Sequence, residues 1–385
     1  MNGPRRPDVG VIALVPEPWG GPWMPREHVL TRLGRHFHVV WMDLPLEWRE
    51  WWLPGHARPA RPPLAADTYP GFELYRPGPF LPEVYRPGAV GRWLEGRRYR
   101  AARRRLTALG ARRIVVYLWR PEYGPALDRI PHDVSVYHID DEYNFSAAEL
   151  PLDPAEAALI RRVDQVIIHS PALLEKKGTL NPHTAFVPNG VDFRAFATPA
   201  AEPEDLARVP HPRVGYVGVI KEQLDVPMIL SLARARPDWS FVMVGPSRLG
   251  GADQECFEAL RGLPNGFALG GKPVAALPAY IQHVDVGLLP YRLNGYTKFI
   301  FPLKLHEYLA AGIPAVGTSI RSLQDFRSVV RLVEGPGDWV PALAAALEPA
   351  ERGPEQVAAR REVAKGYDWG VLVDRIAGHI LDRLQ

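Results

Sequence analysis

Short apolar runs rich in β-branched and aromatic residues alternate with helical patterns through most of the chain. They are VGVIAL (9–14), HVVWMDL (38–44), IVVYLW (114–119), VSVYHI (134–139), QVIIHS (165–170) and AFVPNG (185–190). That alternation predicts an α/β architecture, parallel sheets covered by helices on both faces. After a stretch rich in proline, alanine and acidic residues, FATPAAEPEDLARVPHPR (196–213), the rhythm restarts with RVGYVGVI (213–220), SFVMVG (240–245), FALGG (267–271), VGLLPY (286–291), AVGTS (315–319) and VRLVEG (330–335). Two Rossmann-like halves joined by a linker follow, at 1–195 and 208–368. The closing segment YDWGVLVDRIAGHILDRLQ has the spacing of an amphipathic terminal helix, 369–385, anchored at Trp369. Residues 45–91 interrupt the first half with prolines and the cluster Trp48, Trp51 and Trp52, which predicts a long excursion above the sheet. In open α/β sheets ligands bind at the carboxyl ends of strands, so the strand-end loops of two facing domains are where chemistry is expected.

A length of 385 residues suits two domains, and no apolar run approaches the roughly 18 residues that span a bilayer. The opening MNGPRRPDVGVIAL passes from a short basic lead straight into a strand with no signal-type cleavage site, which predicts a cytoplasmic protein. One cysteine, Cys256, excludes an intrachain disulfide and a multi-cysteine metal site. The net charge of +3 hides an uneven distribution: RWLEGRRYRAARRRLTALGARR (92–113) has Glu95 as its only acid. Trp93, Leu94, Ala102, Leu106 and Leu109 are spaced for an apolar helical stripe, which predicts a half-buried helix with a cationic outer face. That face is either a solvated surface or a contact for an anionic partner, such as a membrane surface or a charged acceptor. Zinc-finger spacing, RNA-binding signatures and aromatic stacking platforms are missing from the sequence, so nucleic acid is not expected.

Four loops carry candidate chemistry. PEPWGGPWMPREHVL leads from the first strand through Gly20 and Gly21, which let the backbone pass close to a ligand or simply turn; it lacks the G-x-G-x-x-G spacing of nicotinamide and flavin sites. YHIDDEYNFS puts His138, Asp140 and Asp141 where the chain leaves the sheet. Adjacent side chains of an extended segment diverge, so paired metal ligation is disfavoured, and a general base, an acceptor-hydroxyl contact or helix capping stay open. GYVGVIKEQLD carries Gly215 and Gly218 around a strand end with Lys221 beyond, suited to a diphosphate or to a tight turn with a solvated lysine. In PLKLHEYLAAGIP (302–314), Pro302 fits the first helical position, Gly312 the C-terminal cap, and Pro314 prevents continuation. The helix start at Leu303 and Lys304 offers N–H groups to phosphate. Glu307 can accept hydrogen bonds from two adjacent ribose hydroxyls, or pair with Lys304 at i,i+3 for a few tenths of a kcal/mol; the spacing alone weighs these equally.

Taken in order, DQVIIHSPALLEKKGTLNPHTAFVPNGVDFRAF (164–196), RVGYVGVI…PDWSFVMVGP (213–246) and DVGLLPYRLNGYTKFIFPLKLHEYLAAGIPAVGT (285–318) resemble the hallmark segments of GT-B glycosyltransferases. They are most similar to the glycosyltransferase family four branch that includes the teichuronic-acid biosynthesis type, and VYHIDDEYNFS looks like that branch's tyrosine-then-paired-Asp segment. The similarity covers residues 130–320 well and the first 130 loosely. It implies two facing Rossmann-like domains with the last helix crossing back to the first. It also implies a retaining hexosyltransferase-type enzyme, at work in cell-envelope or natural-product glycosylation, that moves sugar from a nucleotide-sugar donor to a hydroxyl acceptor with no cofactor and no metal. The family suggests UDP. The resemblance assigns the ribose contact to Glu307, the phosphate-binding helix start to Leu303 and Lys304, a basic phosphate contact to Lys221 near Gly218, and the neighbourhood of the base to GGKP with Gly271 and Lys272. The wider family has a sugar-contacting carboxylate eight residues before the ribose carboxylate; here that position is Phe299. Asn294, Thr297 and Lys298 are the polar residues near enough in sequence to replace it, and Lys298 or Lys304 to supply a second missing cation. The acceptor is a small molecule, a polysaccharide or a lipid-linked glycan, the last suited to a peripheral position at an anionic inner membrane face, where Trp48, Trp51 and Trp52 beside the arginine helix would dip in. The same fold also serves epimerases, phosphorylases and non-catalytic scaffolds.

Overall fold

The computed structural model describes residues 3–20, 23–47, 69–143 and 146–385. The first domain is built on β1 (Val9–Leu14), β2 (His38–Met42), β3 (Phe72–Tyr75), β4 (Arg113–Leu118), β5 (Val134–Ile139), β6 (Gln165–Ile168) and β7 (Thr184–Phe186). The second uses β8 (Arg213–Val217), β9 (Ser240–Val244), β10 (Gly266–Gly270), β11 (Val286–Leu289), β12 (Ala315–Thr318) and β13 (Arg331–Val333). The strand orders are β3-β2-β1-β4-β5-β6-β7 and β10-β9-β8-β11-β12-β13, with parallel pairing between strands in both sheets. Each sheet carries the crossover that a doubly wound fold uses to open a crevice at its strand ends.

Strands of a covered sheet bury both faces, and the first domain shows it along single strands. Val9, Val11 and Ala13 of β1 join one core layer, Ile12 and Leu14 the other. The first layer is completed from the far end of the chain. Trp369, Leu372, Val373, Ile376 and Ile380 of the Trp369–Leu384 helix are buried in it, so the terminal helix does cross back. Asp368 caps that helix by accepting from Gly370 N–H at 2.7 Å.

Two sequence expectations change. The 45–91 excursion includes β3, a short half-buried edge strand paired in parallel with β2, which its proline-rich surroundings conceal; Trp48, Trp51 and Trp52 lie outside the described residues. The arginine helix spans Gly88–Ala108 and buries Gly91, Leu94, Arg98, Tyr99, Ala102 and Leu106, leaving Trp93 and Leu109 at 55% and 46% exposure. Arg98 enters the buried arc because its guanidinium donates to Pro82 O at 2.7 Å and Glu83 Oε2 at 2.7 Å, which no hydrophobic pattern reveals. Among the described residues no helix is long and apolar enough to cross a membrane.

Candidate functional site

The second domain contributes the strand ends of β8 and β9 and the Leu303–Ala311 helix. Pro302 stands at the cap position just before the helix instead of in its first turn, and Gly312 closes it at φ 84°, where a side chain would be strained. Leu305, His306, Tyr308 and Leu309 are buried on the core side. Lys304 and Glu307 lie on the other side, partly exposed and joined to each other, with Lys304 Nζ donating at 2.9 Å to Glu307 Oε2 and 3.2 Å to Oε1. The carboxylate also sits in the field of three buried tyrosines, Tyr216, Tyr291 and Tyr308, whose hydroxyls burial holds above their ordinary range, with Glu307 adding to the effect. Gly218 makes room for this arrangement, since a Cβ there would fall 2.6 Å from Lys304 Cε. Gly245 does the same at the end of β9, where φ is 146° and a Cβ would overlap Gly218 O. Lys221 is exposed just past this turn. At the end of β10, Gly271 is exposed beside Pro246, whereas Lys272 is engaged: its Nζ donates to Asp205 Oδ2 at 2.6 Å, and Tyr280 donates to the other oxygen at 2.8 Å.

The first domain answers with the end of β5. His138 is buried in the strand, its Nδ1 sharing a 2.8 Å hydrogen bond with Tyr117 Oη and its ring stacked on Trp119 at 4.1 Å. Burial drives its pKa well below the usual histidine value, so the ring is neutral. Asp140 and Asp141 diverge as consecutive residues must. Asp140 turns inward, accepting from Tyr143 Oη at 3.1 Å with Arg26 at 3.8 Å; burial raises its pKa against the pull of Arg26 and Arg120. Asp141 turns to the second domain and accepts from Tyr296 Oη at 3.1 Å and from Glu142 N–H at 2.8 Å. Its pKa is pushed up to about 6, by burial first and then by Asp140, with Tyr296, Glu142 N–H and Lys221 opposing. Behind this segment Lys177, fully buried, donates to both oxygens of Glu156 at 2.8 and 3.0 Å and lies 3.4 Å from Glu142. Gly20, at φ 113°, shapes the loop after β1 beside Trp19, whose backbone N–H donates to Asp43 Oδ1. Gly21 lies outside the described residues.

One strand-end connection, residues 292–303, binds the walls together. Gly295 N–H donates to Ala147 O at 2.7 Å, Lys298 pairs with Glu149 at 2.9 Å, and Asn189 of the first domain donates to Phe301 O at 2.8 Å. Asn294 accepts from the N–H groups of Tyr296 and Thr297, while Thr297, buried, donates to Arg292 O. Both therefore spend polar atoms on holding the turn. Phe299, at the position of the missing carboxylate, is buried in the first domain's core layer with Lys176 Nζ 4.8 Å from its ring centre. Leu303 packs against that domain's other layer. Tyr296, Lys177 and this use of Phe299 were not found from the sequence: two are polar contacts across long separations, and the third is a core residue lent to the other domain. Among the described residues no group of three or more His, Cys, Asp or Glu is arranged to hold a metal.

Known proteins resemble the chain in sequence and in fold. Residues 211–350, which include the Lys304–Glu307 helix, match the family described as Glycosyl transferases group 1. A Bacillus subtilis (strain 168) protein named as a teichuronic acid biosynthesis glycosyltransferase, TuaH, is 34% identical over 235 residues; the match spans 58% of this chain and 58% of that protein. The Anabaena HepE structure in complex with UDP-glucose superposes with a TM-score of 0.64 at 15% identity over 97% of this chain and 99% of that one. An E. coli structure described as trehalose-6-phosphate bound with UDP-2-fluoro glucose gives 0.65 at 14% identity over 98% and 99%. The fold is GT-B.

Proposed function

We propose that this chain, with a Glycosyl transferases group 1 domain on a GT-B fold, is a retaining glycosyltransferase that passes sugar from a UDP-sugar or other nucleotide sugar to a hydroxyl acceptor without a metal. The observation that carries the reading is the Gly218–Lys304–Glu307 group at the second domain's strand ends, with Asp141 of the first domain tied to that domain by Tyr296 at 3.1 Å and lying in the field of Lys221. The UDP sugars in the HepE and E. coli structures support the donor class.

In this reading the ribose hydroxyls replace Lys304 as donors to Glu307. The exchange is offset because the hydroxyls and phosphates take over the pair's hydrogen bonds, so that neither charge is left without a partner. Lys304, released, meets the diphosphate together with the N–H groups at Leu303 and Lys304, and Lys221 adds a second cation. Gly218 lets phosphate approach the backbone, and Gly271 borders the base. The bond from sugar C1 to the diphosphate oxygen breaks as the acceptor oxygen bonds to C1 on the same face, and the acceptor proton passes to the leaving phosphate oxygen. Stabilising that oxygen is the main catalytic work. Asp141 orients the acceptor hydroxyl. His138 and Asp140, committed to Tyr117 and Tyr143, fix the end of β5, and Asn294 and Thr297 fix the turn that presents Lys298 to the sugar end. Gly20 lets the loop after β1 approach the donor. The acceptor is a small molecule, a polysaccharide or a lipid-linked glycan, the last met at the inner face of a membrane.

A panel of nucleotide sugars tests the reading. Slow hydrolysis of one donor without acceptor, releasing sugar of unchanged anomeric configuration, supports it. Interconversion of donors supports an epimerase instead, and no thermal shift with any nucleotide sugar supports a scaffold.

A further inference from the structure

The outer face of the arginine helix carries a pattern that the fold leaves unused. Val90, Trp93, Arg97, Arg100 and Arg104 follow one another at helical spacing and fall within an arc of about 80° at 3.6 residues per turn. Each is exposed, Trp93 by 55%, and Arg97 lies over the indole at 5.1 Å. Among the described residues Arg97, Arg100 and Arg104 have no carboxylate partner. Glu95, the helix's only acid, instead faces inward to Tyr99 and Arg129.

The position of this face gives it meaning. The helix runs antiparallel to the strands it covers: Leu106 and Ala111, at its far end, press on Gly10 near the start of β1, where a Cβ would lie 2.9–3.0 Å from them. Its first turns, with Trp93, therefore sit at the strand-end side, beside the mouth of the cleft. Phe80, 87% exposed, follows the carboxyl end of β3 at Tyr75 and so lies on the same strand-end side.

We infer that this face docks the protein on an anionic lipid bilayer, the arginines meeting headgroup phosphates while Trp93 and Phe80 enter the interface, so that the cleft opens toward acceptors carried in the membrane. A soluble polyanion would satisfy the arginines but leave the exposed rings uncovered, which favours lipid. The acceptor half of this inference rests on the transferase reading; the docking half does not.

The test is co-sedimentation of the full chain with phosphatidylcholine vesicles with and without phosphatidylglycerol, alongside R100E/R104E and W93A. Binding is expected only to the anionic vesicles and only at low salt. It should fall at least about 25-fold in R100E/R104E, at about fivefold per arginine, and more modestly in W93A. No binding to anionic vesicles, or binding equal in all three proteins, overturns it. So does binding that W93A leaves unchanged and polyglutamate abolishes, which would assign the face to a soluble polyanion. Nucleotide-sugar binding by the same variants should match the unmodified chain, so failure of docking and failure of the transferase reading are read separately.

Discussion

The two walls of the cleft are built on opposite electrostatic plans. In the first domain, Asp140 and Asp141 sit on a buried scaffold of ionisable groups, with Arg26 and Glu27 on one side and Lys177, Glu142 and Glu156 on the other, each less than one-tenth exposed. In the second, the charges that matter are less deeply sealed: among the described residues Lys304 and Glu307, with side chains 16% and 12% exposed, pair with each other, and Lys221 is exposed. Breaking a fully buried pair by removing one partner costs about 3–5 kcal/mol, whereas a pair at the rim of a cleft can pass its hydrogen bonds to a ligand without leaving either charge unpaired. One wall therefore holds a single geometry, and the other can exchange its ion pair for a ligand's hydroxyls and phosphates.

Lys177→Met should break the rigid wall most severely. It strands Glu156 without its cation, while Glu142 keeps Lys176 at 3.4 Å, and denaturant unfolding should show a loss of about 3–5 kcal/mol. Adding Glu156→Leu should restore part of it, since an apolar replacement of the whole pair removes the unpaired charge. Phe299→Ala comes next, at about 3 kcal/mol. Because Phe299 joins the domains, the loss should appear together with easier proteolysis between them. Tyr296→Phe sharpens the contrast at the seam. Removing a donor to the ionised Asp141 should raise that group's pKa above about 6, so an acceptor-side activity that rises with pH through about 6 shifts its inflection upward. The stability effect runs the other way: a carboxyl titrating higher when folded favours the fold at low pH, and that contribution is lost as pH rises through about 6.

The smallest effect belongs to His306, buried beside the flexible wall. Neither ring nitrogen has a partner among the described residues, and the ring stacks on Tyr367 at 4.0 Å. Burial lowers its pKa to about 3. Its neutral form thus supports the fold above the unfolded value near 6.5, and that support is lost as pH falls toward 3. His306→Phe should keep the stack, raise stability at neutral pH by about 1 kcal/mol, and flatten this acid limb in pH-dependent melts.

What the sequence disclosed follows the same division. Twelve strands were legible because buried parallel strands are continuous apolar runs, and the helix around Glu307 because Gly312 and Pro314 end it in a recognisable way. β3 escaped as a half-buried edge strand among prolines, and several runs, such as RVGYVGVI, were read past Val217 into the loops that form the cleft. The arginine helix was placed but its stripe was misphased at Trp93 and Leu109, because a buried Arg98 is invisible to hydrophobic spacing. The site divides likewise. Glu307 and Lys304 lie within one local motif and Gly218 shows as a strand-end glycine, whereas Lys177–Glu156 and Tyr296–Asp141 are polar pairs 21 and 155 residues apart that no local pattern announces. Phe299 looked like a missing sugar contact, and its burial in the other domain needed the fold to be seen.

The central claim is that Glu307 waits for a nucleotide's ribose and is more than the partner of Lys304. Calorimetric titration of UDP into the unmodified chain and into Glu307→Ala tests it directly. Two hydroxyls bonded to a carboxylate predict an affinity loss of about 10- to 100-fold, with the unfolding midpoint nearly unchanged. Equal affinity in the two proteins would contradict the account and return Glu307 to a surface ion pair.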